Sequence, residues 1–379
     1  MNSRPLTIGI NTLFLIPGQV GGSEVYLRNL LQHLAQIDRE NNYILFTNQE
    51  NSGSFPLKAN FREILCRVQA SSRPARILWE QVILPVQAKI ARLDLLFSPG
   101  YTAPLIKTCK SIVSTLDMQY QYFPQDFSRL ALLFVKTLVP LSARYADKII
   151  TISASSKKDI IKYCNVAENK VAVIHLAAGE NFYAPPELAE LNEANQKFHI
   201  GKEYIITVAN SYPHKNLPRL LEAFYQLRTN RDIQLVIVGI SGRGSDEINQ
   251  KLEELKIKHA IIFTGRVSDR ELILLYQGAR LFVFPSLYEG FGLPVLEAMA
   301  SGTPVVCSNL TSLPEIAGDA AVMFDPYNPT QMADMIAKVL DDNKLREVLI
   351  EKGRQRCKEF SWQKTARKTL DIFYEVYNS

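Results

Sequence analysis

Ten short, mostly apolar runs alternate with longer amphipathic stretches along this chain of 379 residues, and the alternation stops once and then restarts. Five runs come first, at Leu6–Phe14, Tyr43–Thr47, Leu93–Ser98, Ser111–Thr115 and Lys148–Ser153. Five follow, at Tyr204–Val208, Gln234–Val238, Ala260–Thr264, Leu281–Pro285 and Pro304–Cys307. Strands without a polar face, separated by helices, belong to parallel sheets covered on both sides. Between the two series lies Ala178–Gly201, AGENFYAPPELAELNEANQKFHIG, with two adjacent prolines, several acids and little apolar content. That seam predicts a domain boundary, with residues 1–180 forming one α/β domain and residues 181–360 a second. A last helix is expected over Ser361–Tyr377, carrying Trp362, Leu370, Phe373 and Tyr374.

Within the second series, Phe284 to Cys307 reads FPSLYEGFGLPVLEAMASGTPVVC. Pro294 suits the first position of a helix and Gly302 its end, so the order is strand, loop, short helix, strand. The loop collects Glu289, the backbone of Gly290, Phe291 and Gly292, and the first helical turn from Leu293. Glycine lets a ligand approach the backbone, and the free N–H groups of a helix start favour an anion such as phosphate. Glu297, one turn further on, keeps a carboxylate at the same mouth, where it can accept hydrogen bonds from ribose hydroxyls. A phosphate cradle beside a hydroxyl acceptor suits a nucleotide sugar.

Spacing alone carries none of this, because Glu351 and Glu359 enclose the same seven residues in an ordinary charged helix. The whole string from Pro285 to Pro304 resembles the signature of the family-4 retaining glycosyltransferases, the group 1 glycosyl transferases of the GT-B fold, in which two glutamates frame a Gly-Phe-Gly loop. The resemblance covers nearly the whole chain and is strongest from Val208 to Phe324. It implies an α/β fold of two Rossmann-like doubly wound domains facing each other across a cleft. The first domain would be the acceptor side, with the helix 361–379 packing back on it, and the second would bind the donor. It also implies retention of anomeric configuration, with Glu289 close to the transferred sugar and Glu297 on the ribose.

The resemblance extends to further residues. Gly21 and Gly22, in GGSE, sit where a strand feeds a helix with Leu27, Leu30, Leu31 and Leu34 at helical spacing, and in the family this glycine loop lies against the donor's phosphates. Lys215, in ANSYPHKNLPRLL, stands before a helix and is suited to neutralise a departing pyrophosphate. Arg266 and Val267 match a segment near the donor's base and phosphates. There are two departures. Asn210 aligns with a position that many members fill with arginine, so it joins the donor-binding set without the charge. Leu116-Asp117 stands where members carry His-Asp, leaving Asp117 with Lys215 and Glu289 as the catalytic candidates.

Two rival readings remain. Gly239, Gly242 and Gly244 follow the strand QLVIVG, but their order is not that of the dinucleotide fingerprint, and the next strand does not end in an acid. A catalytically silent nucleotide-sugar-binding subunit is the alternative that Leu116 keeps open. The histidines do not replace the one missing at 116: His175 reads as packed, His214 adjoins Lys215 and is placed to touch phosphate, and His33, His199 and His259 read as surface residues.

Composition narrows the partners. Five cysteines, odd in number and without a C-x-x-C pair, indicate neither a disulfide framework nor a zinc site, and a reducing compartment is the simplest reading. The start, MNSRPLTIGINTLFLIPG, reads as a first strand rather than a signal peptide, and no run is long enough to span a bilayer. A cytoplasmic protein is expected. Lys and Arg number 20 against 13 Asp and Glu in residues 1–180, and 23 against 25 thereafter. The basic, apolar run Ser128–Lys148, with Arg129, Lys136, Arg144 and Lys148, reads either as a core helix with solvated basic ends or as a peripheral contact with the anionic inner membrane face. There is no Asp-x-Asp motif, so no metal and no cofactor are expected, and activity should survive a chelator. The expected partners are a nucleoside-diphosphate sugar, with uridine-linked glucose as the first choice on base rates, and a polysaccharide or lipid-linked glycan acceptor. No nucleic acid is expected.

Overall fold

The computed structural model describes residues 4–56, 58–239 and 244–379. Seven strands, β1 (Thr7–Asn11), β2 (Asn42–Thr47), β3 (Phe61–Leu65), β4 (Leu95–Ser98), β5 (Lys110–Ser114), β6 (Lys148–Thr151) and β7 (Val171–Val173), form one sheet in the order β3-β2-β1-β4-β5-β6-β7. Six more, β8 (Tyr204–Val208), β9 (Gln234–Val238), β10 (Ile261–Gly265), β11 (Leu281–Phe284), β12 (Val305–Ser308) and β13 (Ala321–Phe324), form another in the order β10-β9-β8-β11-β12-β13. All strand pairings in both sheets are parallel.

The inner strands β1, β2, β4, β8, β9, β11 and β12 are buried along nearly their whole length, which is why they appear in the sequence as apolar runs. The three strands that the apolar rhythm missed, β3, β7 and β13, are all edge strands. An edge is only partly covered, so β3 tolerates Arg62 and Glu63. One core cluster sets Ile205, Leu235 and Val283 of the second sheet against Leu220 and Phe224 of the helix Leu217–Arg228 and Ile336 of the helix Pro329–Asp341. Another sets Ile44, Phe46 and Leu96 of the first sheet against Leu84 and Ala88.

The chain divides into two compact units. One holds the chain up to Gln121, then Ser128–Leu176 and Trp362–Ser379; the other holds Tyr122–Phe127 and Ala177–Ser361. The division after Leu176 falls a few residues before the expected 180/181 boundary. The seam between the series is no open linker. It forms the helix Leu188–Lys197, whose Glu190 and Lys197 pair with Arg270 and Glu271 of the helix Asp269–Gly278. The six residues Tyr122–Phe127 depart from their chain neighbours and belong to the second unit. The terminal helix Trp362–Asn378 packs in the first unit against the helix Gly22–Ile37, with the Phe373 ring 5.3 Å from Phe97. His33, expected at the surface, is instead buried on the helix Gly22–Ile37, with Nδ1 2.8 Å from the Asn29 carbonyl.

Each sheet reverses its strand order once, between β1 and β4 in the first and between β8 and β11 in the second. Loops leaving the carboxyl ends of the two strands at such a point diverge and open a crevice. In the second unit those loops run from Ala209 to Asn216 and from Pro285 to Gly292, so the topology itself gathers the residues singled out above.

Candidate functional site

β11 ends at Phe284, and the chain turns through Pro285–Gly292 into the helix Leu293–Ala300, with Pro294 in its first turn. Gly292 makes that turn with φ 100°, and a Cβ built there would stand 2.6 Å from Leu313 Cδ2. Only glycine meets both conditions without displacement. The loop's backbone is held from both sides. The Ser312 hydroxyl donates to the carbonyls of Glu289 (3.0 Å) and Phe291 (2.9 Å), and the Glu289 N–H donates to Thr311 Oγ1 (3.1 Å). From the β8 side, Asn216, itself at φ 59°, donates through Nδ2 to the Pro285 carbonyl (3.1 Å), and the Leu287 N–H donates to the His214 carbonyl (2.7 Å).

These ties fix the central feature of the site. Lys215 Nζ lies 2.6 Å from Glu289 Oε1, with side chains only 17% and 13% exposed. The same ammonium stands 5.6 Å from the Phe284 ring centroid. A pair so far withdrawn from water needs each partner, since loss of one would leave a poorly solvated charge. Any anion entering the mouth competes with Glu289 for this lysine.

Glu297 sits on the helix one turn beyond the loop and is partly buried. Burial pushes its carboxyl up to about 7, against the pull of the Tyr276 hydroxyl, which donates to Oε2 at 3.3 Å, and with some help from the charge of Asp269. Burial, and next the Glu297 charge, hold the Tyr276 phenol well above its usual value. The carboxyl is thus poised between protonation states near neutrality, as functional acids often are.

The other candidates take different places. Phe291 is buried, with its ring edge-on to Phe360 at 6.1 Å, so it anchors the loop and offers a ligand only its backbone. Gly290 is buried and Leu293 partly so. Asn210 is half-buried at the exit of β8, where its Oδ1 accepts from the Tyr212 N–H at 3.4 Å. Arg266 is exposed and Val267 partly buried after β10, at the far edge of the sheet and two strands from β8. The glycines of the dinucleotide rival are packing devices: a Cβ on Gly239 would meet the Ala209 carbonyl oxygen at 2.1 Å, and one on Gly244 the Ser211 oxygen at 2.3 Å. Gly242 lies outside the described residues.

Three candidates belong to the first unit. Gly21, at φ 56°, precedes the helix that begins at Gly22, and a Cβ on either would find nothing within 4 Å. The Glu24 carboxylate shapes this loop by accepting from the Gly18 N–H (2.7 Å) and from Arg28 Nε (2.8 Å). Asp117 follows β5 and accepts from the Tyr101 hydroxyl and the Gln119 N–H, each at 3.0 Å. Leu116 is buried, which suits an apolar residue at this point in the chain.

Sequence reading passed over Asn216, Thr311 and Ser312, which hold the loop. Asn-Leu-Pro and Ser-Leu-Pro at helix starts were the available signals, since Asn and Ser favour such positions. Among the described residues no group of three His, Cys, Asp or Glu is placed to hold a metal ion, and no helix is long and apolar enough to cross a membrane.

Comparison with known proteins places this geometry in context. The pattern of the glycosyl transferases group 1 matches residues 190–356, and that of glycosyltransferase family 4 matches residues 20–177. The O-antigen chain mannosyltransferase B of Escherichia coli is 34% identical over 256 residues, covering 67% of this chain and 66% of that protein. The serotype-specific mannosyltransferase WbdA of Escherichia coli is 34% identical over 239 residues, 62% of this chain but 29% of that protein. The chain therefore spans less than two thirds of either relative. HepE of Anabaena, solved in complex with UDP and glucose, superposes with a TM-score of 0.76 at 16% identity, over 97% of this chain and 99% of that one, a likeness of fold.

Proposed function

The chain belongs to the group 1, family-4 glycosyltransferases and has their GT-B fold, and from that premise we propose that it moves a hexosyl group from a nucleoside-diphosphate sugar to a hydroxyl of a glycan or lipid-linked acceptor in polysaccharide synthesis, with retention. The Lys215–Glu289 pair at the strand-order reversal of the second unit carries this reading. As the bond from the anomeric carbon to the diphosphate breaks, negative charge grows on the leaving phosphate, the acceptor oxygen bonds to that carbon, and the acceptor's hydroxyl proton passes to the departing diphosphate oxygen. Lys215 neutralises the growing charge, together with N–H groups of the Gly290–Leu293 turn. Glu289, released from the lysine, faces the sugar carbon, where positive charge develops. Glu297 accepts from the ribose hydroxyls. Arg266, Val267 and Asn210 flank the donor, and Gly21, Gly22 and Asp117 are the candidates that the first unit contributes to the reading.

The glucose choice made on base rates finds no support in the relatives, whose names specify mannose. We therefore propose a mannosyl donor, no metal or cofactor, and a glycan acceptor. The silent-subunit alternative rests on Leu116 alone, and the preserved pairing of Lys215 with Glu289 argues against it. The test is thermal stability of the protein with each common nucleoside diphosphate, followed by transfer assays with mannose and glucose linked to the base that binds. A stabilising base, lost in Glu297→Ala, and turnover with mannose are expected. No shift with any base would refute the donor site, and turnover with glucose alone would refute the mannosyl assignment.

For localisation we propose a cytoplasmic protein in peripheral contact with an anionic membrane through the first unit. On the helix Arg129–Tyr145, Arg129, Leu130, Leu133 and Lys136 are exposed, whereas Arg144 donates to the Cys164 carbonyl and Lys148 pairs with Glu375. A second helical stretch adds Leu78, Val82, Val86 and Ile90, spaced by four residues and 52–76% exposed, with Arg73, Lys89 and Arg92 exposed around them. The one acid between Arg73 and Arg92, Glu80, is buried against Asn11. Apolar residues ringed by cations suit an anionic interface. Flotation with anionic but not zwitterionic vesicles is expected, weakened by Leu78→Ser with Ile90→Ser and by Arg129→Gln with Lys136→Gln. Absence of flotation with either vesicle would remove the proposal.

A further inference from the structure

The segment Tyr122–Phe127 belongs to the second unit although the chain on both sides of it belongs to the first. Its Tyr122, Phe123 and Asp126 side chains meet two residues that are not themselves in the reacting pair. Asp126 Oδ2 lies 2.7 Å from His214 Nδ1, with both side chains almost completely buried. The Phe123 ring tilts over the same imidazole at 5.8 Å, and Tyr122 stacks on Tyr288 with centroids 4.9 Å apart and planes 29° apart. His214 immediately precedes Lys215, and Tyr288 immediately precedes Glu289. The two arms are also joined to each other by the Leu287 N–H to the His214 carbonyl.

We propose that Tyr122–Phe127 is a positioning strap, which sets the Lys215–Glu289 geometry by fixing the residue before each. The inference rests on the reading of that pair as the reacting pair. A carboxylate only accepts, so the imidazole presents Nδ1–H to Asp126, and this bond orients the short turn Pro213–Lys215. A lysine side chain has many rotamers, and its ammonium holds one place only if the backbone beneath it does. The Asp126–His214 bond supplies that constraint on one arm and the Tyr122–Tyr288 stack on the other. Neither Asp126 nor His214 needs to touch the substrate. The strap begins five residues after Asp117, so the loop that leaves β5 supplies a candidate group to one unit and the brace for the reacting pair to the other.

The test uses a double-mutant cycle on the full chain. Asp126→Ala should lower kcat about 10- to 100-fold, the range expected when a reacting group is misplaced by about 1 Å. In a Lys215→Ala background, where no ammonium remains to be placed, the same change should cost less than about twofold of the residual kcat. Equal factors in both backgrounds would mean that the strap acts elsewhere and would overturn the proposal. A second readout needs no turnover: competitive acetylation followed by mass spectrometry, with Lys202 and Lys352 as internal references. Lys215 should label several-fold faster in Asp126→Ala and in His214→Ala, but as in the parent in His214→Asn, whose amide N–H can reach the same carboxylate. Unchanged labelling in the alanine variants, or equal rises in His214→Asn and His214→Ala, would also overturn it. If Asp126→Ala does not fold, Asp126→Leu, which keeps the volume but accepts no hydrogen bond, carries both measurements. Because labelling reports the pair's geometry whether or not transfer is found, failure of the strap and failure of the proposed function are separable.

Discussion

Glu297→Gln separates the stability of this protein from its donor site through pH. The Glu297 carboxyl stands at about 7 in the folded chain against 4.5 for the free side chain. The folded state therefore holds this proton more tightly than the unfolded state does. Its contribution is fully present below the unfolded value, declines as pH rises through the window from about 4.5 to about 7, and is absent above it. A shift of that size, at about 1.4 kcal/mol per pH unit, corresponds to about 3 kcal/mol of stability lost across the window. Glutamine is neutral throughout and should show no such step. The variant is expected to match the parent near pH 4.5 and to exceed it by up to about 3 kcal/mol at pH 8. For a unit of this size that is a rise of roughly 6–12 °C in the midpoint of its calorimetric transition.

The causes of the shift supply internal controls. Tyr276→Phe removes the hydrogen bond that favours the carboxylate and should move the step to higher pH, whereas Asp269→Asn removes a like charge and should move it lower. Calorimetry of the four proteins from pH 4.5 to 8, with nucleoside diphosphate binding measured at pH 8, tests the whole argument. Parallel pH profiles for the parent and Glu297→Gln would refute burial as the cause. The gain in stability should come with weaker nucleotide binding, because the carboxylate that burial disfavours is the group proposed to accept from the ribose.

Three further outcomes follow from the same geometry. Gly292→Ala, with φ 100° and a Cβ 2.6 Å from Leu313 Cδ2, should destabilise the protein by about 1–3 kcal/mol, and Leu313→Ala should relieve the clash but not the backbone strain, leaving a measurable residue in denaturant unfolding. Lys215→Met strands the Glu289 carboxylate and should cost about 3–5 kcal/mol, whereas Lys215→Met with Glu289→Leu should recover most of that while leaving transfer abolished; equal stability of the single and double variants would contradict a coupled pair. Transfer activity should survive chelation, and complete loss restored by a divalent cation would show that lysine and backbone N–H groups do not suffice.

What the sequence made legible follows burial. Inner strands are covered on both faces and must be apolar throughout, so their runs marked both sheets and the two order reversals fell between readable strands. Edge strands obey no such rule, and β3, β7 and β13 were passed over for that reason. Within the site, Glu289, Glu297, Lys215 and the Gly290–Gly292 turn were legible because their chemistry is concentrated in one loop–helix segment and one lysine before a helix. The side chains that hold this loop, Thr311, Ser312 and Asn216, come from the exits of other strands, and only the cap positions of Asn216 and Ser312 before Leu-Pro could have drawn attention to them.

The strap sets the sharper limit. Asp126 and His214 lie 88 residues apart, and nothing about either announces a partner, since an aspartate in a Pro-Gln-Asp turn and a histidine after a proline are ordinary loop residues. Their meeting depends on a six-residue excursion of the chain from one unit into the other, and the burial that makes the bond strong is created by that excursion. A local pattern can nominate groups that act on a substrate, because the reaction restricts their chemical types. It cannot nominate groups that act on those groups, because any well-buried contact of suitable shape would serve. His214 was weighed as a phosphate contact; its Nδ1 lies 2.7 Å from Asp126 Oδ2, and as part of the proposed brace its influence on the reaction passes through the backbone of Lys215. The acetylation contrast between His214→Asn and His214→Ala therefore decides between the two roles: a phosphate ligand would have no effect on Lys215 in nucleotide-free protein, whereas a brace would.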